Sequence, residues 1–295
     1  MKFSGTPSDT WELPTRHLGR RTVIFDQLDS TNTYATSQAD DPASDGLVVV
    51  AHEQTAGRGQ HGRTWQAAAG SSVLLSVLFF PPPALRRAAI LTAWAAVSVC
   101  ETILRFTGLD ARIKWPNDVL IQGRKVCGIL IEQRTIAGCQ LPAGEPCALV
   151  AGSRGSHPAA NTAGSRATCR QPLATICGIG LNLNQTIEQF AVVGLEQAGS
   201  LALFTGHEFD CDDAARLLIQ RLDEEYDRLI QGDVARLEWT WKQRLGLLGE
   251  FVVAGGTDGD HHGRLRDVGW DGILLDTQSG PVCLTPEAVR HLHPV

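Results

Sequence analysis

The chain has 295 residues, of which 43% are hydrophobic, and a formal net charge of −6. A negative balance without any block of Lys or Arg argues against nucleic-acid binding, which needs a basic patch. The eight cysteines are scattered with no Cys-x-x-Cys, which favours reduced thiols over a zinc site or a disulfide framework. No apolar run reaches the length of a membrane span, and the N-terminus has no secretory pattern. We therefore expect a cytoplasmic protein without membrane or nucleic-acid partners.

The first third of the chain alternates between strand and helix patterns. Residues 1–20 form a poorly patterned tail. Three strands are predicted from β-branched or alternating apolar patterns, over residues 20–28, 46–54 and 71–80. Between the first two strands, Ser30 or Thr31 can cap a short helix. The apolar segment 84–106 predicts a long helix that ends at Gly108, a residue type common just after a helix.

The middle of the chain returns to strands. Two strands joined by a turn at Gln122–Gly123 are predicted between residues 111 and 135. Residues 137–172 are rich in Ala, Gly, Ser and Pro with little periodicity, which predicts an inserted mobile loop. Residues 173–184 then resume the sheet.

The C-terminal third contains a helical region and a small β domain. The pattern is helical from Asp212 to about Arg244. One face of that helical region is apolar and carries Leu218, Leu222, Tyr226 and Leu229. Residues 246–295 consist of short strands and turns, which predicts a small β-barrel-like domain.

The segment "GRGQHGRT", residues 57–64, matches two phosphate-binding patterns at once. Gly57-x-Gly59-x-x-Gly62 is a dinucleotide fingerprint, and the same segment is also a P-loop with Arg in place of Lys. Both patterns require a helix directly after the glycines, because the helix N-terminus holds the phosphate. Here a strand follows, and no acidic residue stands about twenty positions further on. Both nucleotide interpretations therefore fail.

A glycine-rich loop between two strands remains, and it carries Arg58 and Arg63. Glycines allow the backbone to approach a ligand closely, and two arginines could clamp a carboxylate or a phosphate. An ordinary solvated loop explains the same residues equally well.

Three other segments contain residues suited to binding, and each has a plain structural alternative. Trp115 of "KWPNDV" could belong to the core, and Lys125 of "GRKVCGILIE" could be a solvated strand end. Asn182 and Asn184 of "GIGLNLN" could read an adenine edge or could serve a turn.

Taken together, five segments in this order resemble the biotin protein ligase family. They are "DSTNTYA", "EQTAGRGQHGRTW", "KWPNDV", "GRKVCGILIE" and "GIGLNLN". The resemblance extends from about Arg20 to the C-terminus, apart from residues 137–172. It implies an α+β fold, with a mixed β-sheet catalytic domain over residues 21–245 and an SH3-like β-barrel over residues 246–295.

The resemblance also implies a reaction. Members of the family activate biotin with ATP to biotinyl-AMP, and then transfer biotin to a lysine of a biotin carboxyl carrier protein. Mg²⁺ would accompany ATP as co-substrate, with no tightly bound prosthetic group. Lys125 would bridge the biotin carboxylate and the α-phosphate, because two approaching anions need a cation in a water-poor site.

The same resemblance implies a role for each matching residue. The catalytic residues would be Lys125, Arg63 and Asp118, and Asp118 would face either the Mg²⁺-nucleotide or the incoming lysine. The biotin-binding residues would be Ser30, Thr31, Asn32, Gln54, Arg58, Gly59, Gln60 and Lys125. The ATP-binding residues would be Arg63, Trp65, Lys114, Asn117 and Asn182.

The chain departs from the family pattern at two places. Gln60 stands where the family loop often has a second Arg, which removes a cation from the loop. About twenty residues precede the first predicted strand, too few for the helix-turn-helix domain of relatives that act as repressors. This favours a dedicated enzyme over a biotin-dependent repressor. A lipoate-protein ligase and a non-catalytic biotin sensor remain as alternatives.

Overall fold

The computed structural model describes residues 6–136, 173–256 and 259–295. Its larger sheet has eight strands in the order β1-β2-β3-β4-β8-β7-β6-β5. These strands are β1 (Asp9–Trp11), β2 (Thr22–Leu28), β3 (Leu47–Gln54), β4 (Ser72–Phe79), β5 (Arg112–Lys114), β6 (Asp118–Ile121), β7 (Arg124–Thr135) and β8 (Leu173–Asn182). The pair β2–β3 is parallel and the other neighbours are antiparallel, so the sheet is mixed, as predicted.

The strand pattern holds with two corrections. The segment described as a tail contains β1, which pairs with β2. Between residues 111 and 135 the sheet has three strands rather than two, because the turn around Trp115–Pro116 separates β5 from β6. The turn at Gln122–Gly123 joins β6 to β7, and both residues have positive φ (48° and 81°). Such a pair of left-handed residues suits the twist of a tight hairpin.

Six helices accompany the strands in the described part of the chain. They are α1 (Thr31–Ser37), α2 (Ala88–Thr107), α3 (Ile187–Val192), α4 (Leu201–Thr205), α5 (Cys211–Ile230) and α6 (Val234–Leu245). Helix α2 ends as predicted, since the N–H of left-handed Gly108 donates to the carbonyl of Leu104. The predicted single helical region after Asp212 is two helices. The break falls at Gly232, with φ of 94°, and Asp233 caps the second helix.

The helices cover both faces of the larger sheet. Helices α2 and α5 pack together on one face, and α1 packs against β3, β4 and β8 on the other. The predicted apolar face of α5 is buried as expected. Helix α2 is long and apolar enough to cross a membrane, but two thirds of its apolar window is buried inside the protein, as in a core helix.

The second sheet has five antiparallel strands in the order β12-β11-β10-β9-β13. These are β9 (Phe251–Gly256), β10 (Gly259–Val268), β11 (Ile273–Thr277), β12 (Gly280–Leu284) and β13 (Val289–Pro294). This arrangement fits the predicted SH3-like domain, although β12 and β13 do not pair, so among the described residues the barrel is not closed. Apolar residues of this sheet belong to the same core cluster as the larger sheet.

The junction between the two sheets is aromatic. The rings of Trp241 and Trp270 stack with centroids 5.0 Å apart, and Trp115 lies 5.8 Å from Trp241. The indole N–H of Trp115 donates to the carbonyl of Val289 at 2.8 Å. Strand β13 is therefore held directly against the turn that leads into β6.

The predicted loop over residues 137–172 lies outside the described residues, but its two anchor points are well defined. Strands β7 and β8 remain paired up to Thr135 and Leu173. Since facing residues of a hairpin can be joined by two to five residues, replacing 137–172 by a short Gly-containing turn should preserve the fold. The activity that the family resemblance implies should stay within a few-fold of that of the unmodified protein. A collapse of activity with an unchanged unfolding curve would show that the segment contributes to the site.

Candidate active site

A cleft of about 470 Å³ opens over the centre of the larger sheet. Its walls are formed by the start of α1, the end of β3, the glycine loop that follows, and facing parts of β7 and β8. All eight residues predicted to bind biotin line this cleft: Ser30, Thr31, Asn32, Gln54, Arg58, Gly59, Gln60 and Lys125. The structure therefore brings together residues that are spread over about a hundred positions of sequence.

One end of the cleft is a connected network of polar side chains. Gln54 accepts hydrogen bonds at its Oε1 from the backbone N–H of Thr31 (2.8 Å) and from the Thr31 hydroxyl (3.1 Å). The hydroxyl of Ser76, on β4, lies 2.8 Å from the Thr31 hydroxyl and 2.5 Å from Oδ1 of Asn32. Ser30 occupies the cap position of α1, but its hydroxyl makes no capping bond. These groups are largely buried and held in fixed orientations.

Glu132, on β7, ties this network to the glycine loop. One carboxylate oxygen accepts from Nδ2 of Asn32 at 2.8 Å, and the other pairs with Arg58 at 2.6 Å. No role was predicted for Glu132 or for Ser76. Glu132 is the last residue of "GRKVCGILIE", one of the segments that carried the resemblance. The sequence therefore indicated this segment, but it did not indicate that Glu132 contacts Asn32 and Arg58.

A second ion pair joins Lys125, which lines the cleft, to Asp118. Nζ of Lys125 is 2.6 Å from Oδ1 of Asp118, which stands at the start of the neighbouring strand β6. The same ammonium group lies 5.8 Å from the centroid of the Trp65 ring. Asp118 does not itself line the cleft, so it acts on the cleft through Lys125.

Glycines form the floor of the cleft because larger residues would not fit there. A Cβ added at Gly178 would overlap the amide of Asn32, and one added at Gly180 would overlap the ring of Trp65. Gly128, on the neighbouring strand, also lies directly beneath Trp65. The indole N–H of Trp65 is buried, and no described residue accepts a hydrogen bond from it. An acceptor on a bound molecule could satisfy that N–H.

The glycine loop is a small hairpin. No α-helix follows it among the described residues before β4, in agreement with the rejection of both nucleotide patterns. Arg58 and Thr64 form an isolated antiparallel bridge, and the N–H of Gly59 donates to the carbonyl of Arg63 at 2.7 Å. A single 3₁₀ turn over Gln60–Gly62 closes the hairpin, and an extended Arg63 follows. The loop therefore aims Arg58 into the cleft instead of presenting a helix N-terminus to a phosphate.

The five predicted ATP-binding residues are only partly brought together. Trp65 and Asn117 line the cleft, whereas Arg63 and Lys114 are exposed and lie outside it. Asn182 is buried, and its amide donates to the carbonyl of Gly199 and accepts from Gln185, so both ends of that side chain are occupied. The Asn182 side chain therefore makes structural hydrogen bonds within the fold, which was the alternative to reading an adenine edge.

The two cysteines on the central strands of the cleft are poorly suited to nucleophilic chemistry. Among the described residues, no cluster of three or more His, Cys, Asp or Glu side chains could hold a metal ion. Cys127 and Cys177 lie on β7 and β8, and burial raises the pKa of both thiols well above the ordinary value. Such thiols stay protonated at neutral pH and are poor nucleophiles.

Comparison with known proteins adds independent support. A model of the biotin/lipoate A/B protein ligase family matches residues 24–141. A biotin–[acetyl-CoA-carboxylase] ligase of Paracoccus denitrificans is 32% identical over 253 residues, covering 84% of this chain and 91% of the relative. The bifunctional ligase/repressor BirA of Bacillus subtilis (strain 168) is 28% identical over 269 residues, covering 91% of this chain and 73% of BirA.

The fold has solved counterparts as well. The biotin protein ligase from Aquifex aeolicus in complex with biotin and ATP has a TM-score of 0.66 to this structure, at 23% identity. The match covers 92% of this chain and 97% of that chain, so it includes both sheets. Together with the Paracoccus relative, these findings show that the chain belongs to the biotin protein ligase family and is a biotin ligase.

Proposed function

We propose that this protein activates biotin with ATP to biotinyl-AMP and then transfers biotin to a lysine of a biotin carboxyl carrier protein. The observation that carries the proposal is that a largely buried polar network and the side chain of Lys125 line one cleft. Biotin has the matching chemistry, with a polar ureido ring at one end and a carboxylate at the other. The name of the Paracoccus relative supports a carboxylase as the carrier.

The polar network would hold the ureido ring. Thr31, Asn32 and Gln54 offer hydroxyl and amide groups that can both donate and accept. Ser76 and Glu132 fix their orientation, so little conformational freedom is lost when biotin binds. A ligand that lacked matching polar atoms would leave these buried groups unpaired, which is a strong source of specificity.

Lys125 would act where the carboxylate and ATP meet. A biotin carboxylate oxygen attacks the α-phosphorus, the bond from that phosphorus to the bridging oxygen breaks, and pyrophosphate leaves. During this step Lys125 would exchange its contact with Asp118 for the oxygens of the reacting anions, and thus stabilise the developing charge. The released Asp118 would be free to hold the ammonium of the incoming lysine.

In the second step the acceptor lysine, as a neutral amine, attacks the acyl carbon of biotinyl-AMP. Before the attack the ammonium loses one proton to Asp118 or to solvent; after it, the carbon–oxygen bond to phosphate breaks, AMP leaves, and the nitrogen releases a second proton to solvent. Arg58 and the glycine hairpin would shield the mixed anhydride from water, which would otherwise hydrolyse it. We propose Trp65 and Asn117 for the nucleotide side of the cleft, with Arg63 and Lys114 approaching from outside.

Mg²⁺ would arrive with ATP as part of the substrate. The described residues contain no carboxylate cluster for a metal held by protein alone, whereas Mg²⁺ is commonly bound by substrate phosphates with one or two carboxylates. Asp118 is the carboxylate that we propose for this contact. We also propose residues 21–245 as the catalytic domain and 246–295 as the SH3-like domain, since α6 ends at Leu245.

One assay tests the proposed function directly. Purified protein, ATP, Mg²⁺ and biotin should label an apo carrier domain, and labelling should stop when its acceptor lysine is replaced by arginine. Pyrophosphate exchange should depend on biotin and not on lipoate. Exchange with lipoate alone would favour a lipoate-protein ligase, and biotin binding without exchange would favour a sensor.

Lys125→Ala should reduce the rate of adenylate formation by roughly 10²–10³, as expected for removal of one preorganised charge-stabilising group. The measurement is single-turnover formation of biotinyl-AMP at saturating biotin and ATP. Arg105→Ala, an exposed cation in the last turn of α2, is the matched control and should be silent. Adenylation by Lys125→Ala at nearly the normal rate would remove Lys125 from the mechanism.

Alanine substitutions at two glycines of the cleft floor should affect the KM values of the two substrates differently. Gly178→Ala displaces Asn32 and should raise KM for biotin by about tenfold, the effect of one lost hydrogen bond. Gly180→Ala displaces Trp65 and should act mainly on KM for ATP. The check is steady-state pyrophosphate exchange with each substrate varied in turn. Equal effects of both variants on both constants would contradict the proposed orientation of biotin and nucleotide.

Glu132→Gln tests the residue that joins the network to the loop. Loss of the charge weakens both the Arg58 pair and the Asn32 contact, so the dissociation constant of biotin should rise by about tenfold or more. Equilibrium binding of biotin measures this without catalysis. Glu53→Gln, which alters an exposed contact to Gln27, serves as the control. Unchanged affinity in Glu132→Gln would mean that the loop and Asn32 are held by other contacts.

A further inference from the structure

Lys125 reaches the cleft because of an irregularity in β7. Where β6 pairs with β7, one extra residue, Val126, lies on β7 between two successive pairs. Such a β-bulge moves the side chains beyond it to the other face of the sheet. Lys125 and Gly128 are three positions apart and would lie on opposite faces of a regular strand. Both nevertheless line the cleft, and a Cβ added at Gly128 would lie 3.3 Å from Nζ of Lys125.

The bulged start of β7 also has a different neighbour from the rest of the strand. The pairs between β7 and β8 end at Cys127. At Lys125 the same edge of β7 is bonded to residues 196–199, which we call the support segment. The N–H of Lys125 donates to the carbonyl of Gln197 at 2.9 Å, and the carbonyl of Lys125 accepts from the N–H of Gly199 at 2.9 Å. Both backbone groups of Lys125 are therefore bonded to the support segment.

Two side chains hold the support segment in place. Nη1 of Arg124 donates to the carbonyls of Glu196 (3.0 Å) and Ala198 (3.2 Å). The amide of Asn182, at the end of β8, donates to the carbonyl of Gly199 at 3.0 Å. With the backbone bond from β7, each of the four carbonyls of the segment accepts a hydrogen bond. The segment therefore has a defined position against β7.

This backbone support matters most while the reaction takes place. In the free protein the ammonium group of Lys125 is held by Asp118 at 2.6 Å. In the proposed adenylation that contact is exchanged for the reacting anions, so Asp118 no longer fixes the direction of the lysine. The direction then depends on the backbone of β7 and on the support segment. Arg124 is the charged side chain bonded to that segment, and it has no carboxylate partner among the described residues.

We propose that Arg124 is a positioning residue, which holds the support segment against Lys125 and thereby keeps the Lys125 ammonium group directed into the cleft. The assignment rests on the proposed function, in which that ammonium group meets the biotin carboxylate and the α-phosphate. Arg124 does not line the cleft, so it acts through Lys125 and not on a substrate. A displacement of about 1 Å in a reacting group can lower a rate by roughly 10², so loss of the support acts on the chemical step.

The experiment measures single-turnover formation of biotinyl-AMP by the whole chain at saturating biotin and ATP. Arg124→Ala should lower this rate by roughly tenfold or more, with the dissociation constant of biotin and the unfolding curve nearly unchanged. Arg124→Lys keeps a donor near the two carbonyls and should recover part of the rate. In the Lys125→Ala background, Arg124→Ala should cause no further loss, because both residues act through one ammonium group.

Arg264→Ala is the matched control and should be silent, because it removes an exposed arginine that donates to the carbonyl of Gly249 at 2.9 Å in the C-terminal sheet. Hydrogen exchange of the Lys125 and Gly199 amides, followed by NMR, tests the support without catalysis, and both should exchange faster in Arg124→Ala. Unchanged exchange would overturn the proposal, and so would a loss of rate that adds fully to that of Lys125→Ala. Faster exchange at both amides, in a protein whose unmodified form makes no biotinyl-AMP, would support the positioning of Lys125 and contradict the proposed function.

Discussion

Two ion pairs hold the cations that line this cleft, and the polar network and the glycine loop are connected to one of them. Arg58 and Lys125 come from different elements, yet each meets a carboxylate at 2.6 Å. Both cations are more than a third exposed, so solvent screens each pair and its contribution to stability is modest. Pairing fixes the position of each cation in the free protein, and in the proposed mechanism the arriving anions would replace the carboxylates. In the proposed mechanism the same residues would then stabilise the charge of the bound anions.

The ion pair between Arg58 and Glu132 also explains how the glycine hairpin is held in a defined position at the cleft. The glycine hairpin is short and carries few apolar residues, so it gains little from burial. Arg58 anchors it to Glu132, and Glu132 also orients Asn32 in the polar network. Loop position and the orientation of Asn32 are therefore coupled through one carboxylate. A ligand that displaces Arg58 from Glu132 would alter both at once.

The sequence predicted much of this architecture, because its strongest signals are local. β-branched runs identified β3 and β4, the apolar face of α5 was buried as expected, and Gly108 ends α2 with the left-handed conformation that favours glycine. The break at Gly232 was missed because apolar periodicity continues across it, and β5 was missed because it has three residues. Short elements are defined by their partners and not by their own pattern.

The residues of the candidate site were likewise predicted only in part. The segments that carried the family resemblance supplied all eight residues predicted for biotin, and they do line one cleft. Ser76 and the paired glycines of β8 were missed, since their importance comes from contacts across the sheet that no local pattern encodes. Asn182 has the residue type suited to an adenine edge, but its amide is occupied by Gly199 and Gln185. Residue type indicates what a side chain can bind, and only the fold shows which partners it already has.

The opening ambiguity of the glycine segment is resolved by the element that follows it. A phosphate loop works by presenting the N–H groups of a helix N-terminus, whereas this loop returns on itself and continues into β4. Within the hairpin, the N–H groups of Gly59, Arg63 and Trp65 donate to backbone carbonyls of the same loop. The loop therefore contributes the side chain of Arg58 to the cleft, where Lys125 of β7 is the other cation among the lining residues that the structure describes.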